Sequence, residues 1–263
     1  MMWNQRNPWI TTRHSVDEPR IRLICVPQAG GSAGAFSRWR DHLPPDVELA
    51  QVELPGRGTR RREPMHAPDF DALAAQVYEA LIPELDMPYV LFGHSMGGSL
   101  VYEVARRIQE SGLTAPRAAL FSGARAPHVP SLRKLSTTDD ATLFAWLRDI
   151  DGLPDELLTY PRFLKEVMRS VRRDLEYIDP YVVVGPAPLL CPVHIFVGAD
   201  DTVTPPAHRE HWRPVAAGEF TTTVLPGQHS FPLADPGAMV AAVTAAVPDL
   251  CTTSSRGNSL GSV

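Results

Sequence analysis

The stretch PYVLFGHSMGGSLVYEVARRIQESG, beginning at Pro88, constrains the fold of this chain more than any other. Its run Tyr89-Val90-Leu91-Phe92 is short, partly β-branched or aromatic, and preceded by a proline, so it reads as a buried strand. After Ser95 the apolar residues Leu100, Val104 and Ile108 recur at the period of a helix. Ser95 therefore stands in a strand-to-helix turn. Gly93 and Gly97 flank it, and a serine held in a strained backbone conformation needs such neighbours, because strand and helix can approach closely only where a Cβ is missing. The helix starts directly behind the serine, so its first N–H groups and the positive end of its dipole face any negative charge that develops there. That arrangement suits a nucleophile. The plainer alternative is a glycine-rich turn whose serine only caps a helix, and the partners of the serine decide between the two.

Strand-like and helix-like segments alternate along the chain. Apolar runs start at Ile21 (IRLICV), Val47 (VELAQV), Arg117 (RAALFSG), Val193 (VHIFVG) and Phe220 (FTTTVLP); helix signals fall around 36–42, 69–85, 205–212 and 236–246. Such alternation predicts an α/β fold, a mainly parallel sheet flanked by helices, with sites at the C-terminal ends of the strands. The interval 125–192 breaks the rhythm. It contains no strand signal, but DDATLFAWLRDI and DELLTYPRFLKEVMRSVRRDLEYI carry helical spacing. It is expected to be a helical lid, mobile over an apolar chamber, inserted in a single domain spanning 1–250. The remaining 251–263, small and polar without periodicity, is expected to be a disordered tail.

Composition narrows the possible partners. Among 263 residues the net charge is −5, so no overall basic field argues for nucleic acid or an anionic membrane. The longest apolar stretch, AMVAAVTAAV, is only about half of what a bilayer requires. Near the N-terminus, charges and prolines occupy the place where an export signal needs an apolar core. Cys25, Cys191 and Cys251 are odd in number and widely spaced, as free thiols in a reducing cytoplasm would be.

A serine hydroxyl needs an adjacent base, itself oriented by a third group. His229 follows the last strand signal, where it could reach over Ser95, and two aspartates follow the strand before it, giving the chain order Ser…Asp…His. Asp200 and Asp201 compete for the third role; the spacing to Pro205 favours Asp201. His94 belongs to the turn and is assigned to packing. For an oxyanion, the backbone N–H of Met96 would act with one from the loop VPQAGGSAGAF; Ala29 is the choice, with Gln28 and Gly30 as close alternatives. No spacing of metal ligands is evident, and no cofactor is expected.

Several segments together resemble the type II thioesterases that accompany polyketide synthases and nonribosomal peptide synthetases: PQAGGSAGAFSRW from Pro27, ELPGRGTRRRE from Glu53, FGHSMGG from Phe92, GADDTVTP from Gly198, and the late His229. The resemblance implies an α/β-hydrolase fold and hydrolysis of acyl thioesters from the phosphopantetheine arm of an acyl or peptidyl carrier protein, a transient partner of a monomeric cytoplasmic enzyme. Two segments depart from the family pattern: GQHSF, where Gly-Gly-His-Phe-Phe is frequent, and RRDLEYIDPY, where an Arg-Ala-Asp pattern is common. Arg57, within the basic run Arg57, Arg60, Arg61 and Arg62, has two readings, a contact to the carrier or the arm's phosphate and a solvated loop. Gln28 is a second candidate contact to the substrate.

Overall fold

The computed structural model describes residues 7–153 and 159–251. Expectations for residues 1–6 and, apart from Cys251, for the 251–263 tail lie outside the described residues. Seven strands, β1 (Ile10–His14), β2 (Ile21–Val26), β3 (Val47–Val52), β4 (Tyr89–His94), β5 (Ala119–Ser122), β6 (Val193–Gly198) and β7 (Phe220–Leu225), form one sheet in the order β1-β3-β2-β4-β5-β6-β7. Every neighbouring pair is parallel except β1 with β3. Strands β2 to β6 are buried throughout. With helices on both faces of a parallel sheet, neither set of side chains meets water, and the strands appear in the sequence as mostly apolar runs, interrupted by buried polar residues such as Arg22, Glu48 and Gln51.

The helices are α1 (Phe70–Leu81), α2 (Met96–Glu110), α3 (Asp140–Asp149), α4 (Pro161–Ile178), α5 (Phe231–Ala234) and α6 (Pro236–Ala246). Helices α1 and α2 cover one face through Leu73, Val77, Leu100 and Val104. On the other face Met239, Val240 and Val243 of α6 join Phe36 and Trp39. Each such fully buried side chain contributes roughly 1.5–3 kcal/mol. Phe36, Trp39 and Phe92 pack edge to face with ring centroids 4.8–5.6 Å apart. The helices expected around 36–42 and 205–212 are 3-10 helices, Ala33–Asp41 and Pro206–Val215. In the second, Pro206 and Pro214 have no N–H to give an α-helical ladder.

Between β5 and β6 lie α3 and α4, with no strand among the described residues. Leu143, Leu147, Met168, Val171 and Leu175 give these two helices a small apolar cluster of their own. The C-terminal half of α4 is tied to the rest of the molecule by polar bonds. Arg173 donates to the Met65 carbonyl at 3.0 Å, Tyr177 to the Ala67 carbonyl at 2.8 Å, and Arg125 to the Ile178 carbonyl at 3.0 Å. Two open clefts of about 470 and 610 Å³ flank α4, and neither is lined by Ser95 or His229.

The order of the sheet reverses at β2, which has β3 on one side and β4 on the other. Loops leaving the C-terminal ends of β2 and β4 diverge there, which opens the crevice where α/β sheets hold their ligands.

Candidate active site

Ser95 occupies the turn between β4 and α2 with φ 54° and ψ −120°. A non-glycine residue in that region is strained, on the order of 1–3 kcal/mol, and such residues persist only where the surroundings hold them. The surroundings here are glycines. A Cβ on Gly93 would come within 2.2 Å of the Gly97 carbonyl oxygen, and one on Gly97 within 2.1 Å of the Val26 carbonyl oxygen. Strand β4, helix α2 and the end of β2 are therefore packed backbone to backbone around the serine.

His229 lies on the loop after β7 and is 3% exposed. Its Nε2 is 3.0 Å from Ser95 Oγ and its Nδ1 is 2.9 Å from Asp201 Oδ2. Asp201, 2% exposed on the loop after β6, also accepts bonds from the Val203 and Thr204 N–H groups and, at 2.6 Å, from the Thr204 hydroxyl. Burial alone would raise the Asp201 pKa, but the bonds from His229 and Thr204 outweigh it and hold the carboxyl well below the usual range. An ionised carboxylate can only accept, so Nδ1 of His229 donates to it and Nε2 faces the Ser95 hydroxyl as an acceptor. Of the two competing aspartates the structure brings Asp201 to the histidine; Asp200 is exposed. Trp39 donates its indole N–H to the carbonyl of Pro232 at 3.0 Å, in α5 just after the His229 loop.

His94 packs as expected. Its Nδ1 donates to the Ser122 carbonyl at 3.0 Å, and its ring lies 5.1 Å from that of His229. Burial, then the neighbouring His229, pushes its pKa down to about 3, so it is neutral at ordinary pH.

Met96 is the first residue of α2, so its N–H lies outside the i→i−4 ladder. The second loop is close at hand, since a Cβ on Gly97 would lie 2.6 Å from the Pro27 carbonyl oxygen. Of the three N–H groups considered there, that of Gly30 is already bonded to Asp174 Oδ2 at 2.7 Å, which leaves those of Ala29 and Gln28.

Arg57 does not lie in a solvated loop. It is 6% exposed, and its guanidinium grips the carboxylate of Asp174 on α4, Nη2 standing 2.6 Å from Oδ1 and Nη1 bonding Oδ2. A solvated loop does not account for a cation turned inward onto a fully buried anion. The exposed cations of that run are Arg61 and Arg62. Asp174 itself escaped the sequence reading, because a charge on an amphipathic helix normally faces water; its one visible signal was its position in the RRDLEYIDPY segment. The Gln28 Oε1 atom is buried and has no hydrogen-bond partner among the described residues. Among those residues no cluster of His, Cys, Asp or Glu is arranged to hold a metal.

A mainly parallel sheet that presents a serine, an aspartate and a histidine on the loops after β4, β6 and β7 defines an α/β hydrolase. The thioesterase-domain family model matches residues 21–247, and the chain belongs to the thioesterase family. It is 32% identical over 223 residues to the probable cadicidin biosynthesis thioesterase of Streptomyces griseus, a match covering 85% of this chain and 61% of that longer protein. Among solved structures, RedJ, the thioesterase of the prodiginine pathway in Streptomyces coelicolor, superposes with a TM-score of 0.82 at 35% identity, over 92% of this chain and 99% of RedJ. YbtT, the type II thioesterase of the yersiniabactin NRPS/PKS pathway, gives 0.80 at 28% identity over 91% and 97% of the two chains.

Proposed function

We propose that the protein is a type II thioesterase that releases acyl groups from the phosphopantetheine arm of the carrier proteins of a polyketide or nonribosomal peptide synthase. The observation that carries this reading is the continuous hydrogen-bonded line from Ser95 through His229 to Asp201 in a chain of the thioesterase family. Ser95 Oγ attacks the thioester carbonyl carbon while His229 Nε2 takes its proton; Asp201 orients and stabilises the imidazolium that results. Charge developing on the carbonyl oxygen is met by the N–H groups of Met96 and Ala29. Collapse of the tetrahedral intermediate breaks the C–S bond, and His229 returns the proton to the departing thiolate. Water, deprotonated by His229, then attacks the acyl-enzyme, and a second collapse frees the carboxylic acid and restores Ser95. These steps use side chains, backbone and water alone, and they suit a cytoplasmic monomer meeting its carrier transiently.

The test compares one acyl group presented on a holo carrier protein, on a small thiol mimic of the arm, and as an oxygen ester. The expected order is carrier thioester, then mimic, then ester, because contacts remote from the reacting carbon position the thioester at Ser95. Equal turnover of all three would instead identify a general esterase, and capture of the acyl group by an added alcohol or amine in preference to water would identify an acyltransferase.

A further inference from the structure

The Asp174 carboxylate joins three elements. It projects from α4, is fully buried, pairs with Arg57 from the loop after β3, and accepts the Gly30 N–H at 2.7 Å from the loop after β2. Replacing a buried ion pair by apolar side chains is often neutral or stabilising, so the pair is a poor device for stability alone. An apolar residue at 174 would continue the cluster that Val171 and Leu175 already form. What the charged pair adds is direction.

We propose that Asp174 is a positioning residue that fixes the second oxyanion donor, with Arg57 fixing Asp174. The Gly31 N–H bonds the Gln28 carbonyl at 2.9 Å, which sets the plane of the peptide that contains the Ala29 N–H. In a trans peptide that N–H points opposite to the carbonyl, away from Gly31. The next peptide plane contains the Gly30 N–H and is held by Asp174. Both planes flanking the Ala29 Cα are thereby clamped. Gly30 has φ +73°, and a Cβ on it would lie 2.3 Å from Val171 Cγ2, so α4 abuts this turn directly. This inference rests on the proposed acyl-transfer reading, in which Ala29 and Met96 receive the oxyanion.

Asp174→Asn keeps the volume but sets an amide nitrogen against the guanidinium or against the Gly30 N–H. The expected result is a fall in kcat of about 10- to 100-fold with KM within about twofold, since loss of a single oxyanion donor costs about 10²–10³ and here the donor is loosened, not removed. Labelling of Ser95 by a fluorophosphonate, which also develops charge on oxygen, should slow in parallel. Arg57→Lys, which keeps the charge but loses the two-pronged grip, should give the same split with a smaller loss.

Exchange of the Gly30 amide proton, read by NMR, should be slow in the wild-type protein and faster in Arg57→Lys; it needs no turnover and covers the case in which Asp174→Asn does not fold. The proposal is overturned if the wild-type Gly30 amide exchanges as fast as exposed loops, or if folded Asp174→Asn keeps the wild-type kcat and labelling rate. Failure of the wild-type protein to label at Ser95 would instead strike the acyl-transfer reading, leaving Gly30 protection to report the clamp.

Discussion

Gly97 sits against Val26 so closely that a Cβ at Gly97 would lie 2.1 Å from the Val26 carbonyl oxygen. The atoms it would meet are all backbone, so no side chain can swing aside. Gly97→Ala is therefore expected to drive the first turn of α2 away from β2 and to separate the Met96 and Ala29 N–H groups. Hydrolysis should fall at least about 10²-fold, as for a lost oxyanion donor, with a lowered melting temperature. A variant as active and as stable as wild type would show that the two loops are not held by this contact.

Strain at Ser95 makes a second prediction. Ser95→Ala should lose nearly all hydrolysis while staying folded. Ser95→Gly should be equally inactive but melt higher than Ser95→Ala, because glycine adopts φ 54° without the cost that a Cβ imposes. Thermal unfolding of the two variants side by side decides this, and the opposite ranking would mean that the turn is relaxed.

For the aspartates, Asp201→Asn should lower kcat by about 10³–10⁴ through loss of the correct histidine tautomer, whereas Asp200→Asn, on an exposed residue, should change it by no more than a few-fold. Thr204→Val removes one of the bonds to Asp201 Oδ2 and should fall between them. Steady-state kinetics on one thioester substrate ranks all three.

His94 gives a stability profile. Its folded pKa of about 3 lies below its ordinary 6.5, so between those values the unfolded chain binds the extra proton. Stability is then complete above about pH 6.5 and falls as the pH drops toward 3, by at most about 1.4 kcal/mol per pH unit for this one group. His194, pushed down to about 4 by burial, adds the same slope over a narrower window. Denaturant unfolding between pH 7 and 4 should show a shallower dependence in His94→Asn than in wild type; equal slopes would mean that His94 is charged in the folded state.

Most of the parallel strands were legible because burial on both faces leaves mostly apolar runs such as IRLICV and VHIFVG, and the limits of β2 and β6 coincide with those two runs, whereas β5 is shorter than RAALFSG. Strand β1 was not: an antiparallel edge strand reading ITTRH carries no such run. Ser95, Asp201 and His229 could be found because each stands directly after a strand in a loop with its own glycine or aspartate signature. Arg57 and Asp174 could not be paired, since they are 117 residues apart and a charge in sequence says nothing about which way it will face. The same limit hid the occupied N–H of Gly30, a backbone group whose partner is set by tertiary packing alone.

Hydrogen exchange along α4 should show a gradient, with amides in 171–178 more protected than those in 161–168. The polar ties of Arg125, Arg173 and Tyr177 lie at the C-terminal end, and Phe163 near the other end is half exposed. Uniform protection as deep as that of the sheet would contradict the expected mobile lid.

A rigid rod fastened near one end behaves as a lever, and α4 has those proportions. With about 1.5 Å of rise per residue, Pro161 stands about 25 Å from Ile178 and Asp174 only about 6 Å. A tilt of about 10° about the fastened end would carry Pro161 through about 4 Å but Asp174 through only about 1 Å. Travel is thus concentrated at the long arm, and the short arm, where the carboxylate meets Gly30, moves about a quarter as far. Substitutions near Pro161 would then change the reach of this helix with far less effect on the contact between Asp174 and Gly30 than substitutions near Ile178.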